Sequence, residues 1–338
     1  MEEQPTVRRF HIENFTFEAG PTLPSVDQAY LDINPGASRT ALIFTCFRGR
    51  LRSTLTFAKG ALRHHRIIVV ALFGNGESSS PSNTANFPCS SLDYRDCVRA
   101  QHALLTRHLK ISVVDIAVGF SMGGQCAYYW MVTHPDMVRS AVIICSSART
   151  SGHNYQFLEG PKAALQNSID YVQGAGYNSI LKPLRGLRAF GKAYSAWLTS
   201  PEWFDQKLYR THGFESQTTW DSVVAGTNYN DWDPDDLLAK ISMWQRGDIT
   251  VAQRPGATRC LSLEGTLSQI DVPILLMPCL TDQYFRWEAA ERESKSIPRA
   301  TIKVIPSVWG HLAGSGAHTT DTEWMDRAIV DFIRESEV

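Results

Sequence analysis

No apolar run in this 338-residue chain reaches the length of a transmembrane helix, so no membrane span is expected. The net charge is only −1 at pH 7 and no basic run stands out. Nothing is therefore set to neutralise a nucleic-acid backbone or an anionic membrane surface. The seven cysteines are scattered, with no C-x-x-C pair and no metal-type spacing. An odd, scattered set fits a reduced cytoplasmic protein better than a disulfide framework. The segment Met1-Glu2-Glu3-Gln4-Pro5 is polar and acidic, so a signal peptide is not expected. The one glycosylation-type triplet, Asn14-Phe15-Thr16, carries little weight without one. Gly74-Asn75-Gly76 lacks the third glycine of a dinucleotide fingerprint, and there is no phosphate loop. His64-His65 has no third donor at ligand spacing, so no metal and no cofactor are expected.

What is present is an ordinary globular composition, 43% hydrophobic and 20% charged, in a chain long enough for a large core. Alternating positions from Phe10 to Ile33 predict an opening β-ribbon. Strands are then expected at Ala41–Phe44, Ile67–Leu72, Val113–Val118, Ala141–Cys145, Val272–Pro278 and Thr301–Ile305. Helical stretches separate them, at Ser53–Leu62, Tyr94–Leu109, Gln125–Val132 and Trp287–Ser296. A last helix is expected at Thr322–Arg334, with Thr320 and Glu323 at capping-box spacing. Strands alternating with helices indicate an α/β fold, a mostly parallel sheet covered on both faces. Between about Ala148 and Pro255 strand-like runs give way to amphipathic helices carrying five of the nine tryptophans. This divides the chain into a core, residues 1–147 and 256–338, and a helical lid insertion, 148–255. Most of those indoles are expected to form the insertion's own core, with one or two reaching a pocket.

The chemistry concentrates at Gly119-Phe120-Ser121-Met122-Gly123, a G-x-S-x-G elbow between a buried strand and a helix. Such a turn lifts a serine hydroxyl clear of the backbone at a helix N-terminus, where free N–H groups favour negative charge. A serine needs a base to take its proton and a carboxylate to orient that base. Loops after the last two strands offer both in the order Ser121, Asp282, His311. His153 and His318 are rival bases, and Asp271 and Asp248 rival carboxylates. The oxyanion donors expected by position are the backbone N–H groups of Phe47 and Met122. Arg48, the one charge at that mouth, either grips a substrate carboxylate or lies on the surface.

The chain resembles the homoserine O-acetyltransferase-like branch of the α/β-hydrolase superfamily over nearly its whole length. The matching segments are Gly74–Ser82, Gly119–Gln125, Trp232–Leu238 with Trp244-Gln245, Asp282 with Ile297–Ala300, and Gly310-His311. The resemblance implies the Ser121/His311/Asp282 triad, a helical lid, an acyl-enzyme formed without metal, and a homodimer as one option. Homoserine transferases have aspartate after the catalytic histidine, where this chain has Leu312. Their oxyanion loop reads His-Ala-Leu-Thr-Gly, against Thr45-Cys46-Phe47-Arg48-Gly49 here. The lid arginine that binds the amino-acid carboxylate aligns best with Lys162, which lacks the bidentate fork. Homoserine is therefore not the expected substrate. The leading expectation is a serine hydrolase cleaving an ester, thioester or related acyl bond of a small or medium metabolite. The alternatives are an O-acyltransferase using acetyl-CoA or another donor through the same triad, and a non-catalytic ligand-binding protein.

Overall fold

A computed structural model describes residues 4–174, 182–252 and 261–336. Eight strands form one sheet in the order β1-β2-β4-β3-β5-β6-β7-β8. They are β1 (Arg8–Thr16), β2 (Thr22–Ile33), β3 (Thr40–Phe44), β4 (Arg66–Val70), β5 (Ile116–Phe120), β6 (Ala141–Ile144), β7 (Ile274–Met277) and β8 (Ala300–Ile302). The ribbon β1–β2 is antiparallel and joins β4 antiparallel, while every pairing from β4 to β8 is parallel. Strands β3, β6 and β7 are buried at every position, because both faces of a parallel sheet are covered. Period-two alternation sorts their side chains: Leu42, Phe44, Ile68, Val70, Ala117 and Ile143 join one apolar core. Ala41, Ile43, Ile67, Val69, Val118 and Val142 join the other.

The helices are α1 (Tyr94–Ala103), α2 (Met122–Thr133), α3 (Gly152–Gln166), α4 (Leu184–Leu198), α5 (Pro201–Asp205), α6 (Gln217–Trp220), α7 (Pro234–Gln245), α8 (Leu263–Leu267), α9 (Trp287–Ser294) and α10 (Thr319–Glu335). Helices α3 to α8 all lie between β6 and β7, with no named strand among the described residues of that stretch. Its base is pinned where Arg149 bridges Asp248, their side chains 2.8 Å apart. The expected boundary at 255/256 lies outside the described residues. No helix among the described residues is long and apolar enough to cross a membrane.

Several local expectations differ from what forms, among them the strand expected at Thr301–Ile305, which spans Ala300–Ile302. Residues 53–62 are not helical: a 3-10 turn at Leu51–Ser53 leads into successive turns. Asp326 of α10 abuts Gly60 and accepts from Ala61 N–H at 2.7 Å, a tertiary contact that outweighs the local helical spacing. The strand into the elbow begins at Ile116 rather than Val113, because Asp115 turns aside to accept from Thr40 N–H at 2.7 Å. Helix α10 starts at Thr319 with His318 at its N-cap, so Thr320 and Glu323 form no capping box.

Glu293 of α9 ties three elements together beneath the site. Its carboxylate accepts from Tyr128 Oη of α2 and from the Ala148 N–H after β6, each at 2.9 Å. Burial pushes this carboxyl up to about 7 from an ordinary 4.5. Across that window the folded chain keeps a proton that the unfolded chain loses, so stability falls as pH rises from the lower value to the upper. Glu293→Gln removes the charge; its oxygen still accepts from Ala148 N–H, and its NH2 donates to Tyr128 Oη where the carboxylate accepted. It is expected to stabilise the protein by about 2 kcal/mol at pH 8 and not at pH 4. Thermal melts at the two pH values check this, and equal gains at both would contradict it.

Candidate active site

Strand β5 ends and α2 begins around Ser121, which holds φ 58° and ψ −126°. A non-glycine residue in that region is strained by about 1–3 kcal/mol and persists only if its surroundings hold it. Here Ser121 N–H donates to the Ile144 carbonyl of β6 at 3.0 Å. Its own carbonyl accepts from Gly124 N–H at 2.9 Å and from Ser146 Oγ at 2.7 Å. The flanking glycines serve close approach: a Cβ on Gly119 would lie 2.2 Å from the Gly123 carbonyl oxygen, and one on Gly123 2.6 Å from that of Phe44. Gly119→Ala drives a methyl into backbone that cannot yield. It is expected to destabilise by about 3 kcal/mol or to prevent folding, as read from denaturant melts.

His311 lies in a 3-10 turn, Gly310–Ser315, that follows β8, and Asp282 in the turn that follows β7. Thr281 stitches the two loops, its hydroxyl donating to the Ser307 carbonyl at 2.8 Å and accepting from Gly310 N–H at 3.1 Å. Asp282 Oδ1 accepts the backbone N–H groups of Tyr284 at 3.1 Å and Phe285 at 3.0 Å. That leaves Oδ2 to face His311 Nδ1 at 2.6 Å, with both side chains buried. An ionised carboxylate only accepts, so the Nδ1 proton donates to it and Nε2 is left with the free lone pair. The imidazole is wedged between rings, with centroids at 4.6 Å for Phe120, 4.3 Å for Tyr284 and 5.5 Å for Phe285.

Ser121 and His311 line one cavity of about 430 Å³, within the usual size of a small-molecule site. The hydroxyl makes no hydrogen bond to the ring among the described residues. Contacts between nucleophile and base often tighten only around a bound substrate. The rivals fall elsewhere. His153 packs on Trp197, and His318 pairs with Asp321 at 3.0 Å. Asp248 pairs with Arg149, and Asp271 is exposed.

Phe47 also lines the cavity, while Met122 is buried as the first residue of α2. Neither backbone N–H has an acceptor among the described residues. Leu312 lines the cavity as well. Arg48 stands at its edge, exposed, with Nε donating to the Asn228 carbonyl at 2.8 Å. Lys162 is not brought there: its Nζ lies 2.8 Å from Glu159 and it is absent from the cavity wall. Residues that sequence reasoning passed over complete the wall, among them Tyr194, Tyr284 and Trp309. Of the five tryptophans in the α3–α8 stretch, Trp203 and Trp220 reach the cavity, whereas Trp232 and Trp244 are buried apart from it. Cys145, Asp282 and His311 offer one possible ligand atom each, all within 4.8 Å of one another. Two of these three are already bonded to each other.

Comparison with known proteins agrees with this architecture. The chain is 34% identical over 265 residues to an ethyl acetate hydrolase of Pseudomonas veronii, covering 77% of this chain and 73% of the relative. It is 27% identical over 256 residues to a homoserine O-acetyltransferase of Corynebacterium glutamicum, covering 73% and 66%. The solved acetyl esterase MekB superposes with a TM-score of 0.89 at 28% identity, covering 98% of this chain and 97% of that one. A family model described as the alpha/beta hydrolase fold matches residues 42–314, a span that holds the elbow, the buried Asp–His pair and the sheet from within β3 to β8. The chain belongs to the α/β-hydrolase fold family.

Proposed function

We propose that this protein is a serine hydrolase of short-acyl carboxylic esters, working through an acyl-enzyme on Ser121. The observation that carries the reading is the buried 2.6 Å contact between His311 Nδ1 and Asp282, on the wall of the cavity that Ser121 also lines. His311 Nε2 takes the hydroxyl proton as Ser121 Oγ bonds to the ester carbonyl carbon. The N–H groups of Phe47 and Met122 hold the resulting oxyanion. Collapse expels the alcohol, protonated by His311, and water then repeats the sequence to release the acid. The stretch 148–255 acts as the lid, supplying Tyr194, Trp203, Trp220 and Tyr229 to the cavity wall.

Hydrolysis is favoured over transfer to an amino-acid acceptor because the lid cation expected to meet a carboxylate is engaged elsewhere, and Arg48 commits its Nε to a backbone carbonyl. Arg48 is bonded to Asn228, and Lys162 to Glu159 and Gln245 away from the cavity. The short acyl group follows the two esterase relatives, whose names specify acetyl esters. A cytoplasmic location is part of this reading, supported by six free cysteines among the described residues. So is a homodimer, which sedimentation velocity would test. The decisive experiment follows release of acid and alcohol from a panel of p-nitrophenyl and ethyl esters, with and without added alcohols and acetyl-CoA. Stoichiometric acid from acetyl esters is expected. Acyl transfer that outpaces acid release, or acetyl-CoA as the sole donor, would overturn the proposal.

A further inference from the structure

The residues proposed for catalysis leave unused a charge buried behind the loop that carries Phe47. Lys240 of α7 has no solvent exposure. Its Nζ donates to the Cys46 carbonyl at 2.7 Å and also to the Phe47 carbonyl. The ammonium lies 5.6 Å from the Phe47 ring and 5.3 Å from that of Trp232. Among the described residues no carboxylate forms an ion pair with it. Asp236, one turn earlier on the same helix, turns its oxygens to Ser82 N–H at 2.9 Å and Ser82 Oγ at 2.7 Å. The other charged groups that face Lys240 are Arg50 and Glu77, and burial pushes its ammonium down to about 7. A buried ammonium without a carboxylate partner is expensive to keep, and an apolar side chain would fill the same space more cheaply.

The Cys46 carbonyl and the Phe47 N–H belong to one peptide unit. That unit is planar and trans, so its two polar groups point in opposite directions. Cys46 and Phe47 line the cavity and Lys240 does not. A carbonyl drawn toward Lys240 therefore turns the N–H away from it, and that N–H has no protein acceptor among the described residues. A hydrogen bond at the carbonyl also polarises the amide, which strengthens the N–H as a donor.

We propose that Lys240 is a positioning residue for the oxyanion hole, holding and polarising the Cys46–Phe47 peptide from behind so that Phe47 N–H meets the developing oxyanion. The proposal rests on the reading of Ser121 as nucleophile. No proton or electron moves: Lys240 donates two hydrogen bonds throughout, and the new contact in the transition state is the one made by Phe47.

The test measures kcat and KM for p-nitrophenyl acetate, and the affinity for a trifluoromethyl ketone, whose hemiketal with the serine places an oxyanion in the hole. Lys240→Met is expected to lower kcat about 10- to 100-fold and to weaken the ketone by the same factor. KM should stay within about 2-fold, because the contact strengthens only in the transition state. A folded variant with unchanged kcat and ketone affinity, or one altered in KM alone, overturns the proposal. If Lys240→Met does not fold, wild-type protein labelled with 15N-phenylalanine decides. The ketone should move the Phe47 amide proton downfield, and an unmoved resonance overturns the proposal. Ser121→Ala runs in parallel. If it retains full turnover the nucleophile reading itself has failed, whereas an inactive Ser121→Ala beside a fully active Lys240→Met removes only the role of Lys240.

Discussion

Ser121→Ala should abolish turnover of acetyl esters while leaving the protein folded. In the proposed mechanism the serine supplies the atom that bonds to the acyl carbon, and no other hydroxyl on the cavity wall shares its place on the elbow. Ser53, Thr54, Thr56, Thr199, Ser315 and the Cys46 thiol also reach that wall, but none of them sits on the elbow at the head of α2. Loss of a nucleophile of this kind lowers kcat about 10⁶-fold in a serine protease, and the remaining rate reflects binding and the oxyanion donors alone. Stability should change little, because alanine and serine are equally strained at φ 58° and the elbow's hydrogen bonds run through backbone atoms and Ser146. Two measurements check the expectation. A fluorophosphonate probe should label the wild type and not the variant, and the melting temperatures should agree within a few degrees. Undiminished labelling of Ser121→Ala would place the nucleophile elsewhere.

Asp282→Asn should lower kcat about 10⁴-fold with little change in KM, the size seen for the same change in a serine protease. The local geometry makes the direction definite. The Oδ1 position is held by the N–H groups of Tyr284 and Phe285, so the asparagine oxygen must remain there to accept them. Its NH2 group then faces His311 Nδ1 across the former 2.6 Å contact. Two donors cannot share that contact, so the imidazole moves its proton to Nε2 and no longer presents a lone pair to Ser121. Activity should return in part at high pH if hydroxide substitutes for the base, while fluorophosphonate labelling at neutral pH falls in step with kcat. A variant retaining more than about a tenth of the wild-type rate would show that Asp282 does not set the tautomer.

The elbow could be read from the chain because it is a local object. An apolar strand, two glycines around a serine and a helical run follow one another within a few residues, and the close approach of Gly119 to Gly123 is a contact between near neighbours. The parallel strands were legible for a related reason: burial on both faces demands continuous apolar runs. Asp282 and His311 were singled out in the sequence by their places after the last two strands and by the family resemblance, ahead of His153, His318, Asp248 and Asp271. What the sequence could not show was the contact between them, or the partners that hold the rivals elsewhere. Lys162 illustrates the opposite outcome, since alignment brought it to the expected place but the helix surface turned it to Glu159 and Gln245. Residues 53–62 have helical spacing, yet Asp326, far along the chain, holds them in turns.

The chain by itself determined the sheet, the nucleophile elbow and the short set of residues from which a base and its orienting carboxylate could come. These follow from periodicity and local sterics, which act over a few residues. The tertiary structure alone decided how His311 and Asp282 meet and through which atoms, which aromatic rings face the cavity, and that Lys240 reaches two carbonyls 194 and 193 positions away. A hydrogen bond between distant residues leaves no periodic trace in sequence, because its strength depends on separation in space and on exclusion of water.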